Sequence, residues 1–254
     1  MTRTIQQLFD LTGKTALVTG ASCGLGLQMA RALGEAGARI MLSARKADEL
    51  EAAMTGLHDA GIDARWVVAD CAVEKDLERL VGETLHRMGD VDILVNNAGN
   101  TWNTPAHDDP ANARDRVMAQ SVRGYFLLSQ LVGRQSMIGR GGRIINVACH
   151  LSTLAHHTSQ GAVGNFTRAL ACQWGPHGIN VNAICPGFFT SHLTAGRMAP
   201  PGEDHRAATM PLKRLGDDED LKGATLLFAS DAGKYITGQG LAVDGGVSAS
   251  NLFF

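Results

Sequence analysis

Short, unbroken apolar runs alternate with stretches of helical period along the whole chain. KTALVTG (14–20) reads as a buried strand and LGLQMARALGEAG (25–37) as a helix closed by Gly37. ARIMLSA (38–44) is a second strand, followed by the helical KADELEAAMTGLHDAG. ARWVVAD (64–70) is a third, followed by EKDLERLVGETLHRMG, which keeps its charges on one face. VDILVNNAG (91–99) is a fourth strand that runs into a loop. A long helical pattern over 112–138 precedes the strand GGRIINVA (141–148), a helix over 158–174 and the strand GINVNAICPG (178–187). The irregular segment 188–215 then leads to the helix DDEDLKGATLLFAS and a last strand, GLAVDGG. Strands apolar on both faces, alternating with helices, predict a parallel sheet covered on either side. No repeat, low-complexity tract or linker interrupts the pattern, so the expectation is one α/β domain over 1–254 with a doubly wound, Rossmann-type parallel sheet.

Composition narrows the class of partner. A chain of 254 residues with 44% hydrophobic and 19% charged residues is large enough for one sizeable core. A net charge of −2 supplies no field for nucleic acid or an anionic membrane surface, so neither is expected as a partner. The five cysteines are scattered and show no C-x-x-C spacing, which points to reduced thiols in a cytoplasmic setting. The opening MTRTIQQLFDLTGK has no h-region, so no signal peptide is expected, and no apolar run reaches membrane-spanning length.

TGASCGLG (19–26) follows the first strand and opens the first helix. Its Gly20, Gly24 and Gly26 allow a tight turn and bring backbone N–H groups up to a pyrophosphate at the helix N-terminus. The spacing, G-x-x-x-G-x-G, is weak evidence alone and also fits a plain strand–helix turn. Joined with NNAG (96–99), Pro186–Gly187 and VDGG near the C-terminus, it becomes specific. On these motifs the chain resembles the short-chain dehydrogenase/reductase family over nearly its whole length. The resemblance implies the sheet order 3-2-1-4-5-6-7. It assigns nucleotide contact to Gly20, Ser22, Gly24, Leu25 and Gly26, to Arg45, and to Asp70 near the adenine. It adds Asn97, Ala98 and Gly99 beside the adenine ribose, and Pro186 and Gly187. The second strand ends SARK, with Ala44 where an acid would favour NAD; Arg45 and Lys46 lean towards NADP if a nucleotide binds, or form a solvated helix start. Cys23 stands where NADP-binding members are often basic, which pulls the other way.

The family's catalytic positions have all changed. A tyrosine, a lysine four residues later, a serine on the loop after the fifth strand and an asparagine on the preceding helix are replaced here by His156, Gln160, Cys149 and Ser121. A phenol needs a neighbouring cation to do acid–base work near neutrality. Tyr125 and Tyr235 are followed four places on by Ser129 and Gln239, and no lysine lies between Lys75 and Lys213, so no shifted alignment restores the pair. Cys149 and His156 are also closer in sequence than the family's serine and tyrosine, which implies a shortened pocket loop.

The resemblance therefore implies a non-catalytic subunit with no intact catalytic set and no metal. It would pair with an active paralogue in a hetero-oligomer, expected as a tetramer, that oxidises a hydroxyacyl-CoA or similar secondary alcohol. Assembly in the family uses the helices over 112–138 and 158–174. The face Ala162, Asn165, Phe166 and Ala169, with Leu170 and Trp174 adding bulk, suits it, although the same residues also suit cover for the sheet. Leu252, Phe253 and Phe254 form a second expected partner surface. Other readings stay open. They are an NADP-dependent oxidoreductase with His156 as proton donor, a nucleotide-binding regulator, a Cys149–His156 nucleophile, and a metal site from Cys149, His150, His156 and His157.

Overall fold

The computed structural model describes residues 2–100, 105, 107–148, 154–189 and 203–250. Seven parallel strands form one sheet in the order β3-β2-β1-β4-β5-β6-β7. They are β1 (Thr15–Thr19), β2 (Arg39–Ala44), β3 (Ala64–Val68), β4 (Ile93–Asn96), β5 (Gly142–Val147), β6 (Ile179–Pro186) and β7 (Gly240–Val243). The order reverses between β1 and β4, the place where open α/β sheets bind ligands beyond their strand ends.

The helices are α1 (Ile5–Phe9), α2 (Gly24–Glu35), α3 (Ala47–Asp59), α4 (Glu74–Met88), α5 (Ala111–Met118), α6 (Gly124–Val132), α7 (Leu154–Trp174), α8 (Glu203–Thr209), α9 (Lys222–Ala229) and α10 (Val247–Ser250). Successive strand residues point to opposite faces and feed two cores. Val18, Ile40 and Leu42 pack with Leu33 of α2, Leu50 of α3 and Phe228 of α9, whereas Leu17, Met41 and Leu94 pack with Leu80 of α4, Val132 of α6 and Leu170 of α7. All five residues of β1 are buried, which explains its unbroken apolar run.

Four details depart from the sequence expectation. The helix expected over 112–138 is interrupted by two π-helical turns, Ala119–Arg123 and Gly133–Met137. Helix α7 begins at Leu154, before the expected residue 158, so His156 is a helical rather than a loop residue. Thr4 and Gln7 close a capping box on α1, which the apolar pattern did not reveal. The irregular segment 188–215 contains α8.

The expected assembly face of α7 splits in two. Leu170 is 9% exposed within the second core, and the half-buried Trp174 packs against that core beside Gly133, so both turn towards the chain's own interior. Asn165 and Ala169 stay exposed, with Ala162 and Phe166 half-buried. Phe166 meets the half-exposed Phe126 of α6 at a ring-centroid distance of 5.8 Å. Leu252, Phe253 and Phe254 lie outside the described residues. Among the described residues no helix is long and apolar enough to cross a membrane.

Candidate active site and nucleotide cavity

A cavity of about 560 Å³ opens beyond the carboxyl ends of the central strands. Gly20, Ser22, Cys23, Leu25 and Gly26 line it from the β1–α2 turn. Ala44, Arg45, Lys46 and Glu49 form one rim, and Asn97, Ala98 and Gly99 the floor after β4. The other end is made by Val147, Ala148, His156, Gln160, Pro186 and Gly187, with Gln120 and Tyr125 at the side. Of the residues expected at a nucleotide, Gly24 and Asp70 do not reach the wall. Gly24 is spent on the turn itself, at φ +58°. The Asp70 carboxylate turns back to accept from the Ala72 N–H at 2.9 Å, leaving its neighbours Ala69 and Cys71 to face the cavity.

The turn is clipped from below. Asn97 Nδ2 donates to the carbonyls of Thr19 and Gly20 at 2.9 and 3.0 Å, while Thr19 Oγ1 accepts from the N–H groups of Asn97 and Ala98, both at 3.1 Å. A Cβ on Gly26 would lie 2.4 Å from both Asn97 Nδ2 and the Gly20 carbonyl oxygen, so only glycine lets α2 start this close. Cys23, the N-cap of α2, makes no side-chain hydrogen bond to the first turn. Those helix N–H groups are therefore left without a side-chain acceptor and suit an anion such as a pyrophosphate.

The expected catalytic positions are partly brought together. His156 and Gln160, one helical turn apart on α7, both line the cavity. Nδ1 of His156 meets the Asn100 carbonyl oxygen at 3.3 Å, an N–H donation that leaves Nε2 as an acceptor in the neutral ring. Burial, outweighing that hydrogen bond, holds the imidazole below its ordinary range. Gln160 is buried, and its Oε1 has no hydrogen-bond partner among the described residues, which suits a hydroxyl donor such as a ribose. Ser121 lies in the first π-helical turn, fully buried and off the cavity wall, with an equally unpartnered Oγ. Cys149 and His150 lie outside the described residues, as do the contacts a nucleophile or metal at Cys149 would need. Among the described residues no three His, Cys, Asp or Glu side chains are grouped for a metal ion.

Tyr125 brings a phenol to the cavity that sequence reasoning passed over, because it has no lysine four residues later. It is 3% exposed, its hydroxyl donates to the Val147 carbonyl at 3.4 Å, and burial pushes its ionisation up, out of reach of neutral pH. Tyr235 is fully exposed and away from the cavity. Glu49 and Gln120 were also missed. Only the three-residue spacing from Lys46 pointed to Glu49, and it reads equally as a helix-start acid.

The depressed His156 pKa gives a first prediction. Because the folded value lies below the unfolded one, the unfolded chain binds the extra proton between them, and acidification removes stability. Melting temperatures at pH 7, 6 and 5 should fall more steeply for the natural chain than for His156→Gln. Parallel profiles would mean that the ring is solvated.

A family model described as enoyl-(acyl carrier protein) reductase matches residues 20–248. Gluconate 5-dehydrogenase of Gluconobacter oxydans (strain 621H) is 36% identical over 251 residues, covering 96% of this chain and 98% of the relative. NAD-dependent glycerol dehydrogenase of Listeria innocua is 33% identical, over 94% of this chain and 95% of that one. The crystal structure of a gluconate 5-dehydrogenase from Burkholderia cenocepacia J2315, in complex with NADP and tartrate, superposes with a TM-score of 0.90. It is 32% identical and covers 97% of this chain and 100% of that one. With the strand order, the glycine turn and the cavity at the sheet's reversal point, these likenesses place the chain in the short-chain dehydrogenase/reductase family of oxidoreductases.

Proposed function

We propose that the chain is a nicotinamide-dinucleotide-binding subunit without a proton relay of its own, acting in a hetero-oligomer with an active paralogous dehydrogenase. The reading rests on one observation above the others. At the His156–Gln160 end of the cavity the described residues offer no cation and no titratable phenol, only a neutral imidazole, an amide and a phenol held by burial. A bound nicotinamide would accept hydride from the carbinol carbon of an alcohol or deliver it to the carbonyl carbon of a ketone. The substrate oxygen would still need a group that holds or delivers a proton. Gln160 accepts a hydroxyl donor but cannot lower a neighbour's pKa by charge, and Tyr125 spends its proton on Val147.

The uncovered strip of α7 and α6 supports the assembly half of the proposal. Ala169 and Asn165 are small, and the Phe126–Phe166 pair leaves apolar surface open on the helices this family uses for assembly. The replaced positions resemble those of the non-catalytic subunit of the heteromeric dehydrogenase that oxidises 2-(hydroxy(phenyl)methyl)succinyl-CoA, so the proposed substrate of the assembly is a hydroxyacyl-CoA or similar secondary alcohol.

A second reading is favoured by the position of His156 on the cavity wall: a reductase in which its ring serves as proton donor. The two separate cleanly. The isolated chain should show no turnover with NAD(P) and a panel of secondary alcohols and ketones, and the pair His156→Tyr and Gln160→Lys should not create any. Native mass spectrometry of protein from its source should find a second dehydrogenase-fold chain in the same particle. Turnover by a homo-oligomer that disappears in His156→Ala would sink the first reading and establish the second.

A further inference from the structure

Glu49 is the one acid on the cavity wall among the described residues, and it holds the polar groups of the rim to itself. Its Oε2 accepts from the Ser22 hydroxyl of the glycine turn at 3.1 Å, and its Oε1 takes the Lys46 ammonium at 2.6 Å. Arg45, next in the chain, lines the same rim, is exposed, and makes no hydrogen bond or ion pair with a described residue. A hydroxyl, an ammonium and a guanidinium lining one end of a cavity are donors that suit a phosphate dianion. Here one carboxylate already satisfies two of the three.

We propose that Glu49 determines which dinucleotide the cavity accepts, occupying the Ser22–Lys46 donor pair that a 2′-phosphate would need and so favouring NAD over NADP. The proposal rests on the reading of the cavity as a dinucleotide site. It reverses the leaning drawn from Arg45 and Lys46, because those cations are not both free. An added 2′-phosphate would have to displace the carboxylate while bringing two like charges together, a combination that costs affinity. A ribose 2′-hydroxyl instead meets an acceptor, as an acid at Ala44 would have provided. The Lys46 and Glu49 side chains are 66% and 40% exposed, so solvent and salt screen the pair and the preference is graded rather than absolute. Helix α3 does not depend on the charge, since Asp48 also serves its first turn.

The test is equilibrium binding of NADH and NADPH, read by calorimetry or nucleotide fluorescence at fixed ionic strength, to the natural chain and to Glu49→Gln. The amide keeps an acceptor for Ser22 and removes the charge. The natural chain should bind NADH more tightly than NADPH. Glu49→Gln should tighten NADPH about tenfold while NADH stays within about twofold. Lys46→Gln on the Glu49→Gln background should cancel most of that gain. NADH binding with an unmoved NADPH affinity, or both nucleotides moving alike, would overturn the role of Glu49 and leave the cavity reading standing. If neither protein binds either nucleotide at millimolar concentration, both the proposal and the dinucleotide reading of the cavity fail.

Discussion

Gly26→Ala should destabilise the protein by about 3 kcal/mol and weaken nucleotide binding by more than tenfold. The sign runs against local propensity. Within a helix, alanine is favoured over glycine by about 1 kcal/mol, and Gly26 is the third residue of α2. The steric effect dominates because the new methyl would sit 2.4 Å from the Gly20 carbonyl oxygen, which is main chain. Asn97 Nδ2, at the same distance, has no room to withdraw without giving up its bonds to the Thr19 and Gly20 carbonyls. Relief must come from moving the N-terminus of α2 off β1, which opens the turn whose N–H groups face the cavity. Urea unfolding and NADH titration of the same preparation give the two effects. A variant as stable as the natural chain would mean that the turn yields at no cost, and would remove the argument that this glycine is fixed by packing.

The strands were legible because a sheet covered on both faces leaves no solvent side to break the apolar run, and 14–20 and 38–44 locate β1 and β2 within a residue or two. Their order was not legible from period, and came from the family resemblance. Helix α7 shows where period misleads. Counting from Ala162 picks out Asn165, Phe166 and Ala169, yet the buried stripe runs through Val163, Thr167, Leu170 and Ala171, about one residue's rotation away. Small residues on both sides of that helix hide the difference, so period alone does not separate Leu170, which turns to the core, from the exposed Asn165 and Ala169. The π-helical turn holding Ser121 is equally invisible, since one extra residue in a turn leaves the composition unchanged. At the site, spacing pointed to the glycine turn and the family resemblance to Asn97–Gly99, and both line the cavity. Neither pointed to Glu49, because a glutamate three residues into a helix has an ordinary reason to be there, and only the fold brings it against Ser22.

Replacing Asn146 should be nearly as damaging as filling Gly26, although it lies well below the cavity. Asn146, Asn96 and Thr167 are almost fully buried, and together they tie β4, β5 and α7. Asn96 Nδ2 donates to Ser129 Oγ at 3.0 Å and to Asn146 Oδ1 at 2.9 Å, and Asn146 Nδ2 donates to Thr167 Oγ1 at 2.9 Å. Asn146→Ala leaves one Asn96 N–H without an acceptor in a dry site and opens a small void, for a loss of about 3 kcal/mol. Asn146→Asp separates the hydrogen bonds from the packing. It keeps the shape and the acceptor, but loses the donor and buries a carboxyl whose pKa burial will raise above the unfolded value. With the folded pKa higher, the native state binds the extra proton, so stability should fall as pH rises from 5 to 8. Asn146→Ala should show no such added slope relative to the natural chain. Since α7 carries His156 and Gln160 about two to three turns above Thr167, both variants should also loosen the far end of the cavity. Hydrogen exchange of the amides from 155 to 163 reads that effect directly. Unchanged protection there, alongside lost stability, would show that the network holds the sheet together without positioning the helix.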